Sequence, residues 1–222
     1  MTTDPFAVLE ATWPSVSVKA VDGWLVRDGG GGGKRVSAAT WDSAGVPPAL
    51  PHDLVMVREG QDKLDSVLAE TGFETVDPTL IFEGSVASNP IPPVTAFSVW
   101  PPLRILLDIW EVGGIGPARV GVMERVEGPK TAILGRINDR AAGALFAAIH
   151  KNCVMLHAIE VLAAHRRQGL ARYMMQAAHN WAAEHGATQV SLAVTSANEP
   201  ATRLYKSMGM GVVGRYHYRQ RP

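Results

Sequence analysis

The segment Val161 to Ala171, V-L-A-A-H-R-R-Q-G-L-A, constrains the fold of this chain more than any other. An apolar strand breaks into a short basic turn, and the turn runs straight into a helix opened by Gly169. Such a strand–turn–helix junction presents unpaired backbone N–H groups at the positive end of a helix. Arg166 and Arg167 add fixed positive charge at the same place. The guest that suits this turn is a diphosphate. The lysine and hydroxyl that end a P-loop are missing, as is the triple-glycine dinucleotide signature. Taken alone, the segment is equally compatible with an ordinary βα turn carrying surface arginines.

Chain-wide properties narrow the classes. The 222 residues suffice for one large domain or two small ones. With 46% hydrophobic and 19% charged residues, the composition is that of a globular protein. A formal net charge of zero argues against a nucleic-acid partner, which calls for an excess of positive charge over a face. No apolar run reaches membrane-spanning length, so no membrane partner is expected. The start, M-T-T-D-P-F, lacks the basic and apolar regions of a signal peptide, and a cytoplasmic location is the expectation. The single cysteine, Cys153, excludes an intrachain disulfide and a thiolate zinc cluster. It lies in an apolar strand-like segment and is expected to be a buried, inert thiol, with no metal bound.

Periodicity divides the chain further. A short helix is expected over Asp4–Ala11 and a strand at Trp24–Val26. Gly29 to Gly33 read as a flexible hairpin loop before a second strand, Arg35–Thr40. Pro47, Pro48 and Pro51 mark a loop, followed by a strand at Leu54–Val57 and a helix at Lys63–Glu70 that Gly72 stops. A strand at Leu80–Phe82 precedes a proline-rich crossover near residues 88–102. Helices are expected over Leu103–Trp110 and Arg119–Val126, then strands over Thr131–Ile137, Gly143–His150 and Asn152–Leu162. Leu170, Met174, Ala177, Trp181 and Ala182 recur at helical spacing within Gly169–Glu184, which Gly186 ends. A strand at Val190–Val194, a capped helix from Asn198 and a final strand at Val212–Tyr218 complete the pattern. The expected architecture is α/β of the α+β kind, a mixed and mostly antiparallel sheet flanked by helices.

Two further features carry weight. The passage from Gln61 matches in pattern the passage from Asn198, with Leu68 falling on Tyr205 and Gly72 on Gly209 at constant offset. Four side chains also stand near the basic turn. His157 shares a strand face with Met155, Ile159 and Val161, so a hydrogen-bonded core histidine and a proton acceptor are both open. Glu160 falls on the opposite face unless a bulge intervenes, and a carboxylate in an apolar strand needs a partner or a shifted pKa. Asn198 suits a helix cap, and Tyr205 suits core packing with a hydroxyl hydrogen bond.

The motif R-R-Q-G-L-A resembles the acyl-CoA loop signature of the GNAT superfamily of N-acyltransferases, with Arg166, Gly169 and Ala171 in its fixed places. N-E-P-A-T-R-L-Y-K-S-M-G-M resembles that family's second signature, through Asn198, Ala201, Leu204, Tyr205 and Gly209. The resemblance covers roughly Phe97 to Tyr218. It implies the acyl-CoA N-acyltransferase fold, in tandem if the repeat extends to whole domains. Residues 1–95 are then a degenerate GNAT-like or helper domain, and 96–222 the catalytic domain.

The resemblance implies acetyl-CoA as the co-substrate. Arg166, Arg167, Gln168, Gly169, Leu170 and Ala171 would hold its pyrophosphate, and Val161, Leu162 and Ala163 would pair with the pantetheine arm. Tyr205 would protonate the departing thiolate, and Asn198 would bond to the pantetheine or hold the loop. The run L-H-A-I-E-V also resembles the arylalkylamine N-acetyltransferases, which makes His157 the first candidate for general base and Glu160 the second. The second histidine of those enzymes is matched by Met155, and Ala193 stands where relatives acting on protein N-termini place a glutamate. The expected activity is transfer of acetyl to a primary amine of a small molecule or peptide, by a monomer or homodimer. A non-catalytic acyl-CoA-binding or regulatory module is the competing expectation. Trp100, Asp108, Trp110 and Glu111 are the candidates for an aromatic and acidic acceptor pocket.

Overall fold

The computed structural model describes residues 3–47, 49 and 52–222 of the chain. Its N-terminal part runs α1 (Pro5–Thr12), β1 (Ser17–Val21), β2 (Trp24–Asp28), α2 (Lys34–Ser37), β3 (Thr40–Trp41), β4 (Leu54–Arg58), α3 (Asp62–Glu70) and β5 (Glu74–Ser85). Then follow β6 (Ala96–Val99), α4 (Arg104–Val112), α5 (Pro117–Arg125), β7 (Lys130–Ile137), β8 (Arg140–His150) and β9 (Cys153–Val161). The chain ends with α6 (Leu170–Glu184), β10 (Gln189–Thr195), α7 (Glu199–Ser207) and β11 (Gly211–Gln220). Strands β1, β2 and β3 form a small sheet, and the other eight form one sheet in the order β4-β11-β5-β10-β9-β8-β7-β6. All neighbours in this sheet are antiparallel except β9 and β10.

Strand β8 shows why its sequence is apolar at successive positions. Leu145, Ala147 and Ile149 pack with Leu170, Met174, Ala178 and Trp181 of α6. Ala144, Phe146 and Ala148 pack on the other face with Leu106, Ile109 and Trp110 of α4 and Val122 and Met123 of α5. Both faces of a central strand are buried here, so period-two alternation disappears. Each fully buried large side chain contributes roughly 1.5–3 kcal/mol.

The constant offset read between Gln61 and Asn198 is borne out in the hydrogen-bonding register. Thr195 pairs with Thr79 across β10 and β5, and the offset carries this pair onto Arg58 and Tyr216 across β4 and β11. Gly211 opposite Glu83 is likewise carried onto Glu74 opposite Gln220. The units β4–α3–β5 and β10–α7–β11 are therefore related by a local two-fold axis between β5 and β11, and each unit passes its second strand into the other. The relation is limited to strand–helix–strand units and does not amount to a second copy of the fold.

Three expectations need correction. The sheet has no division between residues 95 and 96, because both edges of β5 are hydrogen-bonded to β10 and β11 from the later segment. The strand expected at Arg35–Thr40 is replaced by the one-turn helix α2 and the two-residue β3. Burial of Val36 beside Trp13 and Val122 overrides its β-branched preference. The glycines before α2 form a packed wall: a Cβ on Gly32 would lie 2.5 Å from Val122 Cγ2 and 2.9 Å from Val36 Cγ2. Pro47 lies in a loop, whereas Pro48 and Pro51 lie outside the described residues.

Candidate active site

Parallel pairing of β9 with β10 is confined to Cys153–Leu156 and Gln189–Leu192. Beyond it, β9 continues to Val161 against β8 alone, and β10 continues to Thr195 against β5 alone. The two strands thus splay into a gap in the middle of the sheet. At its edge lies the basic turn. A 3-10 turn over Ala163–His165 leads to Arg167 with φ +63° and Gly169 with φ +82°, and α6 begins at Leu170. No side chain caps α6, and its first turn holds no acidic residue. The first N–H groups of this 15-residue helix are therefore available to an anion. The left-handed conformation at residue 169 is one that glycine adopts without strain. An uncapped helix terminus beside an open strand edge fits a diphosphate joined to an extended arm.

Arg166 turns away from that anion site. Its Nε donates to the Val161 carbonyl at 2.8 Å, and its Nη2 lies 3.0 Å from Glu160 Oε1. Leu162 N–H donates to the Ala142 carbonyl of β8, so the Val161 carbonyl points to the open edge. The Val161 carbonyl keeps a second lone pair for strand-like pairing with an arm.

A bulge decides the faces of β9. The register with β8 shifts between Ala144 and Phe146, and Ala158 has φ +50°. Glu160 consequently stands opposite Ala144 and His157 opposite Phe146, which share one face of β8. Glu160 shares that face with His157, contrary to simple alternation. It rests against Gly113 at the end of α4, and the Trp110 indole donates to the Ala158 carbonyl at 2.9 Å.

His157 is 3% exposed and stacks on Trp13 with ring centroids 4.9 Å apart. Arg35 Nη1 is a donor and lies 3.3 Å from Nδ1, so Nδ1 accepts and Nε2 carries the proton. Nε2 donates to Thr12 Oγ1 at 2.9 Å, and Thr12 donates to the Val8 carbonyl at 2.7 Å. Burial, aided by the Arg35 charge, holds the imidazole pKa well below its ordinary value. Both nitrogens are engaged, and no lone pair is free for a substrate proton. The geometry therefore returns His157 to the core-histidine reading.

Tyr205, 6% exposed, lies on the sheet-facing side of α7 with its ring edge to Phe82 at 5.8 Å. Burial pushes its hydroxyl pKa up to about 12. Asn198 accepts from Ala201 N–H at 3.2 Å, the capping role its position suggested. Cys153 is buried, and its thiol pKa is pushed up to about 12 by burial and by Glu83. Among the described residues no group of three or more His, Cys, Asp or Glu side chains is placed to hold a metal, and no helix is long and apolar enough to cross a membrane.

A cavity of about 390 Å³ opens where β9 and β10 part. Ala158 and Thr195 line it from the splayed strands, with Thr79 of β5 and Tyr216 and Tyr218 of β11. Trp13, Gly32, Gly33, Lys34 and Arg35 close it from the N-terminal segment. From the Trp100–Gly116 region only Ile115 reaches it. Trp110 is fully buried, Trp100 packs on Phe146, and Asp108 pairs with Arg104 at 2.8 Å. Glu111 is exposed on α4, so these four do not form the acceptor pocket that the sequence suggested. The lining residues come from several distant segments, and the run of glycines among them, Gly32 and Gly33, read in the sequence only as a flexible loop.

Comparison with known proteins agrees with this geometry. Residues 102–210 match the family model described as "Acetyltransferase (GNAT) family". A streptothricin acetyltransferase from Streptomyces lavendulae is 41% identical over 56 residues, 25% of this chain and 30% of that protein. A GCN5-related N-acetyltransferase structure from Kribbella flavida superposes with a TM-score of 0.65 at 19% identity, covering 94% of this chain and 90% of that one. A second, from Sphaerobacter thermophilus, gives 0.57 at 16% identity, over 76% of this chain and 60% of that one. With the splayed strands and the uncapped turn, these matches identify residues 102–210 as a GNAT-family acetyltransferase domain, and the chain has the acyl-CoA N-acyltransferase fold.

Proposed function

We propose that the protein is an acetyl-CoA-dependent N-acetyltransferase acting on a primary amine of a small molecule or peptide. The observation that carries this reading is one gap shared by three features: the β9–β10 splay, the uncapped start of α6 and the cavity. A relative named as an acetyltransferase supports acetyl as the group transferred. Bound acetyl-CoA supplies an acyl group activated as a thioester. The N–H groups of Arg167 to Ala171 hold its pyrophosphate, and the open end of β9 at Val161, with Leu162 and Ala163 after it, orients its arm.

The chain's remaining task is to move two protons. As the amine nitrogen bonds to the acyl carbon and the carbon–sulfur bond breaks, Tyr205 donates its hydroxyl proton to the departing sulfur. Glu160 takes the proton released by the amine. Only its Oε1 is engaged by Arg166, and the Ala158 bulge sets it on the face opposite Ala144. His157 positions the floor of the site by fixing Trp13 and Arg35.

A thiol-release assay with acetyl-CoA and a panel of small amines and peptides, beside a direct acetyl-CoA titration, tests the reading. Turnover with at least one amine is expected. Tight acetyl-CoA binding without thiol release across the panel would instead favour the non-catalytic acyl-CoA-binding module.

A further inference from the structure

We infer that the amine acceptor carries a carboxylate, as an amino acid does, and that Arg35 and Arg119 receive it in the cavity at the strand gap. The inference rests on the N-acetyltransferase reading for the identity of the site, and on the charges lining the cavity for the chemistry of its guest. The titratable groups that face it are Lys34, Arg35, Asp77, Arg119, Tyr216 and Tyr218. Lys34 Nζ and Asp77 Oδ2 lie 2.7 Å apart and neutralise each other. Among the described residues, neither Arg35 nor Arg119 makes an ion pair. Arg35 instead reaches the His157 imidazole at 3.3 Å, with Tyr216 and Tyr218 lining the same cavity. A partly buried guanidinium held by neutral groups keeps its full charge and lacks a counterion. Its planar fork suits a carboxylate held by two parallel hydrogen bonds.

Arg119 stands across the glycine wall, its guanidinium 3.4 Å from where a Gly33 Cβ would lie. Two guanidinium groups without a carboxylate partner, Arg119 bonded only to the Gly114 carbonyl at 3.4 Å, therefore line the same cavity as Ala158 and Thr195 of the parting strands. A guest with its carboxylate at the arginines points its amine into the gap. The volume of about 390 Å³ admits a molecule of amino-acid size, and Trp13 and Ile115 give its side chain apolar walls. A polycationic acceptor meets the opposite field, since Lys34 already occupies the one carboxylate present.

The test is calorimetric titration of the full chain with L-phenylalanine and L-leucine, and with the amide of each, which removes the negative charge and keeps the amine. The expected result is that at least one amino acid binds tenfold or more tightly than its amide. Arg119→Gln and Arg35→Gln should each weaken the amino acid at least fivefold and leave the amide within twofold. Arg119 is exposed, so its substitution remains informative if the Arg35 variant fails to fold. Equal binding of acid and amide, or binding of neither amino acid, overturns the inference. A clear preference for the acid in a protein that releases no thiol from acetyl-CoA with any amine would instead overturn the transferase reading and leave the carboxylate site standing.

Discussion

Arg166 holds Glu160 across the mouth of the strand gap, with Nη2 3.0 Å from Oε1, and donates to the Val161 carbonyl from Nε at 2.8 Å. The loop arginine is thus spent on the strand end, which leaves the backbone N–H groups for the proposed diphosphate. Glu160→Gln keeps the shape and removes the proton acceptor. Turnover should fall at least tenfold. Unchanged turnover in steady-state assays would show that the amine arrives neutral and that Glu160 is only Arg166's partner.

Tyr205→Phe keeps the ring against Phe82 and removes the donor. Turnover should drop tenfold or more, with acetyl-CoA affinity within twofold. Because burial holds the hydroxyl at about 12, wild-type activity should show no alkaline loss near pH 10 from this group. Stopped-flow thiol release on the two proteins measures both effects, and equal rates would remove Tyr205 from the chemistry.

His157 bears on stability. Its folded pKa lies well below 6.5, so the unfolded chain binds the extra proton first as the solution is acidified. The stabilisation is present above pH 6.5 and is lost as pH falls toward the folded value. Thermal melts should show a decline from pH 6.5 to 5 in the wild type and a flatter one in His157→Gln. At pH 7.5 the variant should melt roughly 3–9 °C lower, from about 1–3 kcal/mol of broken buried hydrogen bonding. Parallel pH dependence in both proteins would assign the decline to other groups.

The glycine wall gives a prediction about the acceptor alone. Gly32→Ala sets a methyl 2.5 Å from Val122 Cγ2 and must move the wall away from α5. Overpacking of this kind costs about 1–3 kcal/mol. KM for the acceptor should rise severalfold while acetyl-CoA affinity, set on the far side of the gap, stays constant. A change in acetyl-CoA affinity without one in acceptor KM would separate the wall from the acceptor site.

What the sequence disclosed follows from the range of the interactions. Helix α6 is legible because Leu170, Met174 and Trp181 repeat at the spacing of one buried face, and Asn198 announces α7 because capping is local. The register relation was visible in the placement of Gly72 and Gly209, yet its meaning lay in pairing between distant strands. Nothing near Glu74–Ser85 signals insertion between β10 and β11. The single residue Ala158 reverses the face of Glu160, and no alternation rule anticipates where a strand bulges. His157 gave two possible roles until Thr12 and Arg35, far away in sequence, occupied its two nitrogens. The cavity was hidden for the same reason, since tertiary contact alone brings Trp13, Arg35, Thr195 and Tyr216 together.

Titration of acetyl-CoA into the wild type and Gly169→Val bears most directly on the central claim. Gly169 has φ +82°, where a β-branched residue is strained by about 1–2 kcal/mol, and the strain would shift the N–H groups proposed to face the diphosphate. The wild type should bind one acetyl-CoA per chain. The variant should bind at least tenfold more weakly while melting only roughly 2–6 °C lower. Undiminished affinity in the variant, or two molecules bound per wild-type chain, would contradict a single acyl-CoA site at the start of α6.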